Sequence, residues 1–101
     1  MLTEHAAYGI AISALSELTQ WQQFMSAPKK TGFDFWLPDA SGQLKARLEV
    51  SGILSGTEAR ITERVHEKIL QVRRYDWNCP AYVAVVEFGK PTLKVVIDAG
   101  S

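Results

Sequence analysis

The chain has 101 residues, 47% hydrophobic and 22% charged, which suits one ordinary globular domain spanning 1–101 and is too short for two. Eleven basic residues balance eleven acidic ones; this argues against a whole-protein basic field, leaves a local basic stripe open, and favours self-association. One cysteine, Cys79, excludes an intrachain disulfide and a cysteine-based zinc site; with no basic leader and no long apolar run, the expectation is a cytoplasmic protein with no membrane contact.

From Thr3 to about Phe24 the apolar spacing predicts a helix. Ala7, Ala11, Ala14, Leu18 and Trp21 recur at intervals of three and four. Its small residues, Ala6, Ala7, Gly9 and Ala11, would let it lie close against a sheet. SAPKKTG at 26–32 is a breaker segment. Two strands follow. In the first, Phe33, Phe35 and Leu37 point one way, and Asp34 and Trp36 the other. In the second, Leu44, Ala46, Leu48 and Val50 share a face opposite Lys45, Arg47, Glu49 and Ser51. PDASG between them has turn chemistry, so the pair reads as a hairpin.

SGTE at 55–58 has the pattern of a capping box, with Ser55 at the cap and Glu58 three residues on. The helix it opens should run to Arg74 or Tyr75 and bury Ile61, Val65, Ile69 and Val72. Pro80 then precedes AYVAVVEF, apolar on both faces and expected as a covered central strand. FGKPT turns into a final strand, LKVVID. The order α-β-β-α-β-β predicts an α/β or α+β domain in which two helices flank a mixed sheet.

The hairpin puts two acids on one side. With the turn centred near Ala40–Ser41, two registers are open: Asp34 faces Arg47 and lies diagonal to Glu49, or it faces Glu49 directly. Either way the carboxylates start within about 5–8 Å of each other at Cβ. Two carboxylates that close repel unless a cation or a proton lies between them, which is the case for a divalent metal with oxygen ligands, Mg²⁺ or Mn²⁺. Arg47 and Lys45 on the same face offer a competing account as ordinary cross-strand partners. On the second helix Arg64, Lys68, Gln71 and Tyr75 form a seam flanking the buried stripe, so they can reach along the sheet toward the acids.

The order GFD (32–34), EVS (49–51) and QVRRY (71–75) resembles the PD-(D/E)xK nuclease superfamily, and most of all its RecB-like members with a helical QxxxY. The resemblance covers residues 32 to about 88 and implies a restriction-endonuclease-like core. It implies Asp34 and Glu49 as metal ligands, with Glu4 on the first helix as a third acid. Gln71 and Tyr75 would be the helical motif. The family's lysine, two residues past the second acid, is here Ser51; Lys68, one turn before Gln71, is the candidate to replace it. The first core strand of the family has no counterpart in MSAPKK. The implied activity is Mg²⁺- or Mn²⁺-dependent hydrolysis of phosphodiester bonds in DNA or RNA, with Lys68, Gln71 and Tyr75 as catalytic residues and Arg64, Arg73 and Arg74 contacting nucleic acid. The competing expectation is an inactive module of the same fold acting as an accessory or protein-interaction subunit. So small a chain is expected to use a homodimer or a protein partner to hold substrate.

Other residues carry less. His5 and His66 read as surface residues, Cys79 has no histidine near it in sequence, and the three tryptophans, Trp21, Trp36 and Trp77, suit packing more than base stacking. SGILSG lacks the ending of a phosphate-binding loop. Leu70 and the edge of the last strand are the candidate dimer surfaces.

Overall fold

The computed structural model describes residues 2–28, 31–74, 79–89 and 92–98, the side chains of residues 2–5 excepted. Its elements are α1 (Leu2–Leu18), β1 (Met25–Ser26), β2 (Phe35–Pro38), β3 (Leu44–Ile53), α2 (Glu58–Arg73), β4 (Ala81–Glu87) and β5 (Thr92–Asp98). They build one five-stranded sheet in the order β1-β2-β3-β4-β5. The β3–β4 pair is parallel and the others antiparallel, so the sheet is mixed as expected. The parallel pair needs a crossover, which α2 supplies.

The helices cover opposite faces. Ala7, Ala11 and Leu15 of α1 pack on Phe35, Leu37, Ala46, Leu48, Val50 and the even-numbered residues of β4. Ile61, Val65 and Val72 of α2 pack on Ile53 and the odd-numbered residues of β4. Every residue of β4 is therefore buried, which is why AYVAVVE reads as apolar on both faces. No helix of the described residues is long and apolar enough to cross a membrane.

Four local expectations need correction. The first helix ends at Leu18 instead of Phe24. Thr19 donates its hydroxyl to the Leu15 carbonyl at 2.6 Å and accepts the Trp21 N–H at 3.2 Å, and Gln22 donates to the Ser16 carbonyl at 2.9 Å. Side chains thus satisfy carbonyls at the helix end, and the chain turns away. Its buried seam is 7–11–15; Leu18 is 76% exposed. Trp21, beyond the helix, instead donates its indole N–H to the Tyr82 hydroxyl at 3.0 Å.

The second correction is the cap of α2. Thr57, not Ser55, stands at the N-cap and accepts the Arg60 N–H at 3.2 Å, which leaves Glu58 in the first turn, where the helix dipole favours an acid. Third, MSAPKK does contribute a strand: Met25 and Ser26 pair with Trp36 and Phe35 as a two-residue β1. Fourth, the alternation in the first hairpin strand breaks at its start. Gly32 has φ +89°, a left-handed turn that suits glycine, and after it Phe33 goes to the α2 face while Phe35 and Leu37 go to the α1 face. Phe33 stacks edge-on against Trp36 there, with ring centroids 4.7 Å apart.

The hairpin itself closes as read. Asp39 accepts the N–H groups of Ser41 and Gln43 at 2.9 and 3.0 Å, bonds that help hold its carboxyl below the usual range, the Ser41 hydroxyl contributing most. Gly42, at φ +89°, completes the turn.

Candidate active site

The hairpin register pairs Phe35 with Leu48 and Trp36 with Arg47, so of the two open registers it is the one that carries Asp34 toward Glu49. Asp34 is not inside the strand. It lies in the bend just before β2, where its N–H bonds the Leu48 carbonyl at 2.9 Å. Its carboxylate is held from two sides. Oδ2 accepts the Val50 N–H at 2.8 Å, and Oδ1 accepts the Tyr8 hydroxyl at 3.1 Å. The acid is thus fixed jointly by β3 and by α1.

Glu49 projects from β3 toward α2 and is 3% exposed. Its Oε2 meets two side chains of α2: Lys68 Nζ at 2.9 Å and Gln71 Nε2 at 3.1 Å. Lys68 Nζ also donates to Gln71 Oε1 at 3.1 Å, closing a three-membered cluster. Gln71 reaches further, with Nε2 3.3 Å from the Gly32 carbonyl, which ties the helix to the bend that positions Asp34. Sequence spacing placed Lys68 and Gln71 on one seam, and α2 delivers both because Val65 and Val72 bury the adjacent stripe.

The electrostatics are those of a crowded acid. Burial, then the neighbouring charge of Asp34, pushes the Glu49 carboxyl up to about 7 from 4.5, with Lys68 offsetting part of the rise. Lys68 therefore takes the neutralising role that the sequence left open to Arg47 or Lys45. Arg47 directs its guanidinium elsewhere, donating to the carbonyls of Val72 at 2.9 Å and Cys79 at 2.7 Å, and lies over the Phe33 ring. Lys45 is exposed near the hairpin turn.

One turn before Lys68, Arg64 donates to the Ser51 hydroxyl at 2.6 Å and pairs with Glu67 at 3.2 Å. Glu49 and Ser51 are alternate residues on one face of β3, so a helical cation stands over each. Of the other basic residues of α2, Arg60 pairs with Glu63, and Arg73 forms a two-bond pair with Asp98, 2.9 and 3.1 Å long. Arg74, just past the helix, is exposed. Tyr75 and the side chain of Glu4 lie outside the described residues, as do Trp77 and the side chain of His5. His66 is exposed on α2.

One participant, Tyr8, escaped the sequence reading, and one expected residue, Arg64, has an unforeseen partner. Tyr8 follows the buried Ala7 on α1, so the flank argument that selected Lys68 on α2 would have selected it too. Arg64 was expected to touch nucleic acid; its contact with Ser51 was not foreseen.

Among the described residues no cluster of three or more His, Cys, Asp or Glu forms. Among the described residues the donor set for a cation is therefore the pair Asp34 and Glu49; burial raises the Glu49 carboxyl first and the Asp34 charge second, and that second contribution is what a divalent ion would relieve. Two carboxylates completed by waters and substrate oxygens are the ordinary protein share of a Mg²⁺ site, so the residues fit. Comparisons with protein-family models, curated proteins and solved structures find no match for this chain.

Proposed function

We propose that this chain is a metal-dependent, nuclease-like domain that hydrolyses phosphodiester bonds in DNA or RNA. Asp34 and Glu49 would hold Mg²⁺ or Mn²⁺, and Lys68 would be the cation beside them. The observation that supports this reading most is the convergence of Asp34, Glu49, Lys68 and Gln71, from a bend, a strand and a helix, in the order that resembles the PD-(D/E)xK superfamily. A cytoplasmic setting, where one cysteine stays reduced, belongs to the same reading.

Each residue has a defined task. Asp34 presents a carboxylate whose orientation is set by Tyr8 and the Val50 N–H. Glu49 presents a second, kept basic by its crowded surroundings. Lys68 balances one negative charge and has a further N–H to donate to a phosphate oxygen or an attacking water. Gln71 both donates to Glu49 and accepts from Lys68, so it fixes the ammonium against the acid. Arg64, at Ser51, adds positive charge on the substrate side. A divalent ion, when bound, would supply charge stabilisation at the phosphate and lower the pKa of bound water.

A second reading, an inactive accessory module, is favoured by one observation. Both oxygens of Asp34 and Oε2 of Glu49 already have protein donors, so these oxygens are hydrogen-bonded without a metal. Calorimetric titration with Mn²⁺, beside Asp34→Ala and Glu49→Ala, separates the two. Saturable binding lost in both variants, with Mn²⁺-dependent cleavage of plasmid or oligonucleotide, supports the enzyme. No binding to folded wild type would leave the accessory module.

A further inference from the structure

We infer that the open edge of β5 pairs with β5 of a second copy, antiparallel across a two-fold axis at Val96, joining two sheets into one of ten strands. Three observations lead there. First, among the described residues β5 is the last strand of the sheet, seven residues long, and pairs with β4 without a bulge. It contains none of the proline, bulge or shortness by which exposed edges are blunted.

Second, the direction of its backbone groups can be worked out. Arg47 N bonds the Pro80 carbonyl and Phe88 N bonds the Ile53 carbonyl, so even-numbered residues of β4 turn their peptide groups to β3. Odd-numbered ones turn to β5, which makes Val83 and Val96 a hydrogen-bonded pair. Val95 and Ile97 then aim their N–H and C=O groups at the open edge. Ile97 is also 58% exposed, a large apolar side chain beside that edge.

Third, charge selects the register. With Val96 opposite its own copy, Val95 meets Ile97 of the second chain, and Lys94, exposed here, comes beside Asp98, twice by symmetry; Asp98 is buried and already holds Arg73 of its own chain, so Lys94 would add a second cation to that carboxylate. The one basic residue that would deter pairing at this edge becomes complementary. A net charge of zero removes long-range repulsion between the copies.

The register has a consequence for the site. Glu49 pairs with Val83 and Val83 with Val96, so these three residues form one row across the sheet. Through the Val96 pair the row continues into the second copy, and the two Glu49 residues lie on it about 24 Å apart at roughly 4.8 Å per strand. The axis is perpendicular to the sheet, so both α2 helices and both acidic clusters are on the same side. The α2 helices, each packed chiefly over β4, are then about 14 Å apart, beyond the ~8–10 Å of helices in contact, so they do not collide. Paired sites facing one substrate follow only if the nuclease reading holds; the dimer does not depend on it.

The test is sedimentation equilibrium of the full chain without metal or nucleic acid, so the outcome is independent of activity. A reversible monomer–dimer equilibrium is expected, weakened about tenfold by Lys94→Glu. Val95→Pro removes a donor aimed only at the second copy; it should give a monomer with the circular dichroism of wild type. In a Cys79→Ser background, Val96→Cys should oxidise to a covalent dimer, because facing residues of a non-hydrogen-bonded pair are close enough for a disulfide. A wild type that stays monomeric at every concentration overturns the inference. Crosslinking through Val95→Cys in preference to Val96→Cys overturns the register and with it the alignment of the two acids.

Discussion

Replacing Glu49 with glutamine should flatten the dependence of stability on pH between about 4.5 and 7. The carboxyl titrates near 4.5 when solvated and at about 7 in the fold, raised by burial first and by Asp34 second. Between those values the folded chain keeps a proton that the unfolded chain releases. Stability from this group is therefore complete below the lower value and is lost as pH rises through the upper one. At roughly 1.4 kcal/mol per tenfold change in proton affinity, the separation amounts to about 3 kcal/mol. That is a large part of the ~5–15 kcal/mol that holds a domain together, and corresponds to a fall of roughly 10–20 °C in Tm.

The comparison is clean because it uses a slope. Glu49→Gln also removes the partner of Lys68, but that cost is constant while lysine stays charged, and it cancels between pH values. Urea unfolding in chelator, measured from pH 4 to 8 for both proteins, reads the difference directly. Added Mg²⁺ should then raise the stability of wild type at high pH and leave the glutamine variant unchanged, since a cation replaces the proton. Parallel stability curves for the two proteins would refute the reasoning, because they would mean that the Glu49 carboxyl binds its proton no more tightly in the fold than in the unfolded chain.

Three other substitutions probe the supports of the site. Tyr8→Phe removes one donor from Asp34 and should weaken Mn²⁺ binding about tenfold in calorimetry at a cost of about 1 kcal/mol in folding. Lys68→Met should abolish cleavage and move the Glu49 carboxyl further up, visible as a higher midpoint in the carboxyl resonance of ¹³C-labelled protein. Arg47→Met leaves the Val72 and Cys79 carbonyls without their charged donor and should cost about 2–4 kcal/mol in urea unfolding, without a specific effect on metal affinity.

Most of the fold was legible because its signals are periodic. The all-buried pattern of β4 and the stripe of α2 follow from which faces must be covered, whereas β3 alternates in residue type although both its faces are buried from Ala46 to Ser51. What failed was governed by single side chains competing for backbone groups. Thr19 closes α1 early, and Thr57 takes the cap from Ser55 although both precede the same apolar run. The site divided in the same way. Glu49, Lys68 and Gln71 were found by spacing, since strand alternation and the 3.6-residue turn put them on facing surfaces; Asp34 was read from the same alternation but reaches the cluster from the bend before β2. Tyr8 stands on the flank of the α1 stripe, where spacing could have marked it, but its reach to Asp34 depends on how α1 lies over β2 and β3, which no local period encodes. The partner of Arg47 was equally hidden: it depends on where the chain goes after α2.

The lysine is where the chain departs from the pattern it resembles, and the surroundings of Ser51 offer a physical reason for the departure. A lysine at position 51 would extend from β3 on the same face as Glu49, into the space where Arg64 approaches to 2.6 Å of the Ser51 hydroxyl. Ser51 is 6% exposed, so an ammonium there would be held against a guanidinium with little water to screen it. Serine and Arg64 are therefore a matched pair, and the charge beside Glu49 comes from the helix through Lys68. Ser51→Lys alone should destabilise by about 1–3 kcal/mol and yield no gain in cleavage. Combined with Arg64→Ser, the destabilisation should fall by more than the two single effects predict, as expected for residues in contact. The decisive form is the triple variant, with Lys68→Met added: if the site requires one cation beside Glu49 and is indifferent to the element that supplies it, Mn²⁺-dependent cleavage lost in Lys68→Met returns when position 51 carries the lysine. Should the folded triple variant bind Mn²⁺ and still not cleave, Lys68 acts through its own contact with Gln71, and its place on the helix is a requirement of the mechanism.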